Sequence, residues 1–287
     1  MKHILLCTDG SIFAQSSYRY AGWLASRLDA EVDVLFVSDI RSQKVASTGN
    51  YSGALGLDAS RELLDKLVEL EHEKAKLNHE KAQLVLQDAK QRLQEAGVSA
   101  IKTIHETGFL VDIFHKFEAD SDLIILGKRG EAAEFASGHL GANVERIGRA
   151  SHKPCLVTSR HYQPIEKLLL SYDGSKSCQK MLDFLVTSPA FKGLELHILT
   201  VAKKAEDERA IAHLKVAQMQ AESAGFDPIC EVIPGEPEQE ICQYADRHNI
   251  DLLLMGAYGH SRIRNLVLGS TTLQLLRRSH IPVLLFR

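Results

Sequence analysis

Met1 to Arg160 and Pro164 to Arg287 can be laid over one another, and a duplication on this scale constrains the fold more than any local pattern does. Ile4-Leu-Leu-Cys-Thr-Asp9-Gly-Ser11 matches Leu168-Leu-Leu-Ser-Tyr-Asp173-Gly-Ser175, and Glu31 to Val37 matches Glu195 to Val201. Asp122 to Gly127 matches Asp251 to Gly256, and Pro154-Cys-Leu-Val157 matches Pro282-Val-Leu-Leu285. His161 to Pro164 reads as the linker. Within each half, short apolar runs alternate with longer amphipathic stretches, the pattern of β-α-β units building a parallel sheet covered on both faces. Strands are expected at residues 2–8, 31–37, 100–105, 122–127 and 154–158, then at 166–172, 194–201, 228–233, 251–256 and 282–286. The fold class is α/β: two tandem doubly wound parallel-sheet domains, at 1–160 and 164–287, which pair within the chain through their last strands.

The register between the halves shifts from 164 (Asp9 to Asp173) to 129 (Gly127 to Gly256), so the first half carries 35 extra residues, within about 38–96. A polar loop is followed by a helix-favouring run from Ser60 to Ala96, with Leu63, Leu70, Leu77 and Leu84 seven apart on one stripe. Such a helix, ~56 Å long, exceeds what one small domain covers, so it should project, break or pack on a partner. The intermediate positions Leu67, Lys74, Lys81 and Asp88 suit a coiled-coil seam poorly, which favours a bent or overhanging solvated helix.

The second half ends a strand at Gly256, continues to Gly259, and after nine residues reaches Gly269-Ser270-Thr271. Glycines let main-chain N–H groups approach phosphate oxygens, and a hydroxyl at the start of the next helix adds a donor beside its partly positive end. The same glycines would also suit a plain strand-to-helix loop. Asp173, at the end of the half's first strand, is placed to meet a ribose hydroxyl or a nucleotide-bound Mg²⁺. In the first half, ten residues separate Gly130 from Gly141, and Ala142-Asn143 follow, so the hydroxyl is missing and the loop is degenerate. Asp9, Val37, Gly127, Gly130 and Gly141 remain there, and Lys128 and Arg129 add charge.

No P-loop, first-strand dinucleotide fingerprint, nucleophile elbow or H-E-x-x-H motif occurs, so the common phosphotransfer, dehydrogenase, hydrolase and metalloprotease readings lack their machinery. A net charge of −3 gives no reason to expect nucleic acid, and no stretch approaches the ~18 apolar residues of a membrane span, so a cytoplasmic location is expected. The five cysteines are scattered without metal-ligand spacing and read as small hydrophobes, with Cys178 and Cys242, on predicted helices, the alternative redox candidates.

The Asp ending strand 1, the Val ending strand 2, the Pro-Val terminal strand and the G-x2-G-x9-G-S/T loop together resemble the universal stress protein family, over nearly the whole chain. That resemblance implies a Rossmann-like, nucleotide-binding alpha-hydrolase-like fold and, in one subgroup, binding of ATP or AMP. It implies a stress-response regulator, non-catalytic or with very weak ATP hydrolysis, working with an unidentified protein partner as an intrachain pseudo-dimer or a homodimer. The implied ligand-binding residues are Ser171, Tyr172, Asp173, Val201, Met255, Gly256, Tyr258, Gly259, His260, Arg262, Gly269, Ser270 and Thr271. Among them, Asp173 would meet ribose or metal, the Val201 main chain the adenine edge, and Gly269 to Thr271 the phosphates. His260 reads equally as a loop histidine, and Tyr258 could pack on the sheet. The alternative is a nucleotide-independent scaffold, or a regulator binding a small hydrophobic ligand, built on the first domain and its insertion.

Overall fold

In the computed structural model, residues 2–12, 14–39, 57–128, 140–256 and 269–286 are described, with the side chains of 57–65 and 142 outside that description. Every apolar run proposed as a strand is one, within a few residues. In the first half these are β1 (His3–Thr8), β2 (Glu31–Asp39), β3 (Ile101–Gly108), β4 (Leu123–Gly127) and β5 (Cys155–Thr158). In the second they are β6 (Lys167–Ser171), β7 (Glu195–Ala202), β8 (Ile229–Pro234), β9 (Leu252–Gly256) and β10 (Val283–Phe286). The helices are α1 (Ala14–Leu28), α2 (Leu57–Glu95), α3 (Leu110–Glu118) and α4 (Ala142–Ala150), then α5 (Lys176–Thr187), α6 (Glu208–Ser223), α7 (Pro237–His248) and α8 (Ser270–Arg278).

All ten strands form one sheet in the order β3-β2-β1-β4-β5-β10-β9-β6-β7-β8. Pairings within each half are parallel, whereas β5 and β10 meet antiparallel with Val157 opposite Val283 and Leu156 opposite Leu284. Each half therefore closes the exposed edge of the other, which removes the hazard of a bare apolar strand. The central strands are apolar at consecutive positions because both faces are covered: Ile4, Leu6, Leu168 and Leu170 enter one core, Leu5, Ile124, Leu169 and Leu253 the other. Both cores run through the two halves without a break.

Side chains reinforce the junction. On α1, the Arg27 guanidinium donates to the carbonyls of Ala190 and Lys192 in the second half, while Arg19 lies 4.1 Å from the Tyr162 ring centroid in the linker. Tyr20 packs on that ring and its hydroxyl accepts from Gln163 N. Lys128 Nζ donates to the carbonyls of Arg277 and Ser279, where a cation meets the partly negative end of α8. This lysine was expected to add charge to the first phosphate loop; its ammonium instead ties the halves together.

The helix-favouring run of the insertion is one unbroken helix. α2 has 39 residues, ~58 Å, against 16 in α6 at the same place in the repeat. Its final turns dock through Ala82, Leu86, Ala89 and Leu93, all buried. Leu70, Leu77 and Leu84, the described members of the seven-residue stripe, are 60%, 65% and 68% exposed, so they face away from the core. Among the described residues, no helix is long and apolar enough to cross a membrane.

Candidate functional site

The neighbours β6 and β9 lead their chains in opposite directions. From β6 the chain passes through α5 to β7; from β9 it passes through α8 to β10 on the other side. Where paths diverge in this way, a crevice opens beyond the carboxyl ends of the strands. Helices that follow parallel strands begin at that end, so α5 and α8 both point their amino termini, with unpaired N–H groups, toward it.

Gly256 closes β9 beside α5. A Cβ there would lie 2.5 Å from Ser177 Oγ and 3.0 Å from both Cys178 N and Cys178 Sγ, so only glycine lets the helix start approach so closely. On the adjacent strand, Asp173 is exposed, and its Oδ1 accepts from Ser175 N at 2.8 Å, turning the chain into α5. Gly174 completes that turn at φ +71° with His213 of α6 over it. Ser175 caps α5 by accepting from Cys178 N. The Asp-Gly-Ser sequence is thus a turn whose acidic side chain stays exposed beyond the carboxyl end of β6.

Val201 stands where main-chain recognition is available. The β6 ladder ends as Tyr172 N donates to Leu199 O, and main-chain groups alternate sides along a strand. Ala202 O faces β8, accepting from Gly235 N, so the N–H and C=O of Val201 point to the β6 side, past the last β6 hydrogen bond. Tyr172 itself is buried, and its carbonyl accepts from Thr200 Oγ1. Met255, likewise buried, precedes Gly256 at the end of β9. Ser171 is half-buried opposite Met255.

Gly269 is the N-cap of α8, with no side-chain cap. Ser270 is exposed in the first turn, whereas the Thr271 hydroxyl donates to Glu238 Oε1 on α7 at 3.2 Å. Sequence reasoning grouped these two hydroxyls; the structure directs one to a helix-helix contact. Tyr258, Gly259, His260 and Arg262, and Gly130 in the first half, lie outside the described residues.

The first half repeats the frame with different details. Asp9 Oδ1 accepts from Ser11 N, Val37 sits near the end of β2, Gly127 ends β4 and Gly141 caps α4. Arg146 of α4, however, pairs with Asp39 at the end of β2 at 3.5 Å, a link that sequence reasoning missed. The counterparts in the second half are Gln274 and Lys203, which cannot form that pair. The thiols offer no reactive centre near either turn: burial pushes Cys7 up to about 12 and Cys178 up to about 11, the latter also facing the Asp173 charge.

The fold defines an open-sheet α/β protein with a strand switch point in each half, the place where such sheets bind their ligands. The profile of the universal stress protein family matches residues 1–159 and 164–287. A universal stress protein of Synechocystis sp. is 57% identical over 287 residues, covering all of both chains. This chain therefore belongs to the universal stress protein family, as a tandem two-domain member. The crystal structure of a universal stress protein from Archaeoglobus fulgidus superposes with a TM-score of 0.70 at 23% identity, covering 99% of this chain and 95% of that one. A universal stress protein solved in complex with cAMP covers 44% of this chain and 98% of its own, at 28% identity and a TM-score of 0.38.

Proposed function

We propose that this protein is a stress-response regulator that binds ATP or AMP, with Mg²⁺ on the phosphates, mainly in the crevice of its second half. It acts by changing shape or partner affinity on binding rather than by turnover. In this reading the Asp173 carboxylate meets the ribose or a metal-bound water, and the Val201 main chain reads the adenine edge. Gly256, Tyr258 and Gly259 line the sugar–phosphate side. Gly269, Ser270 and the first N–H groups of α8 hold the phosphates, Thr271 contributes its main chain, and His260 and Arg262 supply charge. The observation that carries the proposal is the convergence at one switch point of an exposed strand-end carboxylate, a glycine pressed against one helix start and a glycine capping another. The loop from 256 to 271 has no carboxylate to serve as a general base, and the one α7 brings to it, Glu238, accepts the Thr271 hydroxyl.

Mass spectrometry of small molecules released from the purified protein tests the proposal. ATP or AMP at about one per chain is expected; a protein that releases no nucleotide and shows no saturable binding of either would overturn it. A second reading, a nucleotide-independent scaffold, is favoured by the exposed leucines of α2. It predicts a partner whose affinity is the same with and without nucleotide.

A further inference from the structure

At the opposite end of the sheet from the crevice, α3 and the turn entering β5 bring two histidines onto one buried carboxylate. His115 Nδ1 lies 3.0 Å and His152 Nδ1 3.8 Å from the same oxygen, Glu118 Oε2, and the three atoms all fall within 4.8 Å of one another. The other oxygen, Oε1, is already engaged: it accepts from Ser151 Oγ at 2.6 Å and from the main-chain N–H groups of His152 and Lys153. The carboxylate is thereby fixed in rotation with Oε2 aimed at both imidazoles. Outer hydrogen bonds that orient a ligating carboxylate in this way are a regular part of metal sites.

The internal repeat supplies a control. In the second half, Ser279 makes the same turn, donating to Ile281 O and accepting from Ile281 N, just as Ser151 donates to Lys153 O and accepts from Lys153 N. There Glu118 is replaced by Arg247, which is exposed, and His115 by Tyr244; only the second histidine has a counterpart, His280. The turn and the fold therefore do not require a buried carboxylate at this place. The Glu118 side chain is 5% exposed, and its histidines are 41% and 71% exposed, so the charge is held inside while its two nitrogen neighbours stay open to solvent.

The geometry points to a zinc-type site with His115 Nδ1, His152 Nδ1 and Glu118 Oε2 as ligands and water in the fourth position. Bonds of ~2.0–2.2 Å in a tetrahedron place ligand atoms ~3.3 Å apart, within the spread found here. Two imidazoles with one carboxylate suit a borderline-soft divalent ion better than Mg²⁺ or Ca²⁺, which take oxygen ligands. Small rotations of the two exposed rings bring the nitrogens to bonding distance without moving the main chain.

The test is titration of tag-free, chelator-treated full-length protein with Zn²⁺ alone, read by calorimetry and by the thermal midpoint. One ion per chain is expected, raising the midpoint. His115→Ala and His152→Ala, both at exposed side chains, should each weaken binding by about tenfold or more and remove the rise, while both variants stay folded. Co²⁺ in place of Zn²⁺ should give the intense visible absorption of a four-coordinate ion. The site is refuted if the parent takes up no more Zn²⁺ than the double variant, or if the two histidine substitutions leave the affinity unchanged.

Discussion

At Asp173 the turn contact and the proposed binding role fall on one carboxylate. Its Oδ1 holds Ser175 N in the turn, yet the residue is exposed beyond the end of β6. An asparagine carbonyl can accept the same N–H, so Asp173→Asn should keep the turn and the thermal midpoint while losing the charge. Nucleotide affinity measured by calorimetry should then fall about tenfold or more, the loss of a charged hydrogen bond worth ~1.5–3 kcal/mol. Asp9→Asn, on the poorer loop, should leave it nearly unaltered. Equal affinity of Asp173→Asn and parent would remove Asp173 from the site. Gly256→Ala tests the other half of the arrangement, because the added Cβ meets the Cys178 main chain as well as movable side chains. Overpacking of this kind should lower stability to denaturant by ~1–3 kcal/mol; an unchanged midpoint would mean that α5 does not sit where it is described.

At the scale of elements, α2 carries two apolar stripes with opposite fates. Leu93→Ala, at the docked end, should cost ~2–5 kcal/mol in urea unfolding. Leu77→Ser, on the exposed stripe, should change stability by less than about 0.5 kcal/mol. Comparable losses from both would show the outer stripe to be packed in solution. This helix also shows how far the sequence could be read. Its existence and its overhang follow from length and from the seven-residue leucines. Which stripe meets the sheet does not, because two of the four docking residues are alanines, whose burial leaves little trace in a hydrophobic pattern. The central strands were more legible, since burial on both faces writes a nearly unbroken apolar run in β4, β5, β6, β9 and β10. The strand-end Asp-Gly turns and the Gly269 cap could be placed from local spacing. The Lys128 bridge, the Asp39–Arg146 pair and the diversion of Thr271 to Glu238 could not, because each joins residues far apart in the chain. Glu118 likewise reads in sequence as an ordinary charged helix end, and only the arrival of Ser151 and His152 reveals why it is buried.

Across the whole molecule, duplication has produced two frames with one sheet between them and different chemistry at their ends. The first half has Ala142-Asn143 after its capping glycine, an ion pair tying β2 to α4, and Lys128 committed to the junction. The second half keeps Ser270 exposed at the start of α8 and has no counterpart of that ion pair. The central claim is that these differences leave one principal nucleotide site per chain. It is tested most directly by calorimetric titration of the full-length protein with ATP and with AMP, alongside Gly269→Val/Ser270→Ala and Gly141→Val. The account predicts about one nucleotide per chain, most of that binding lost in the second-half variant and little lost in Gly141→Val. Two equivalent sites, or equal losses from the two sets of changes, would contradict it.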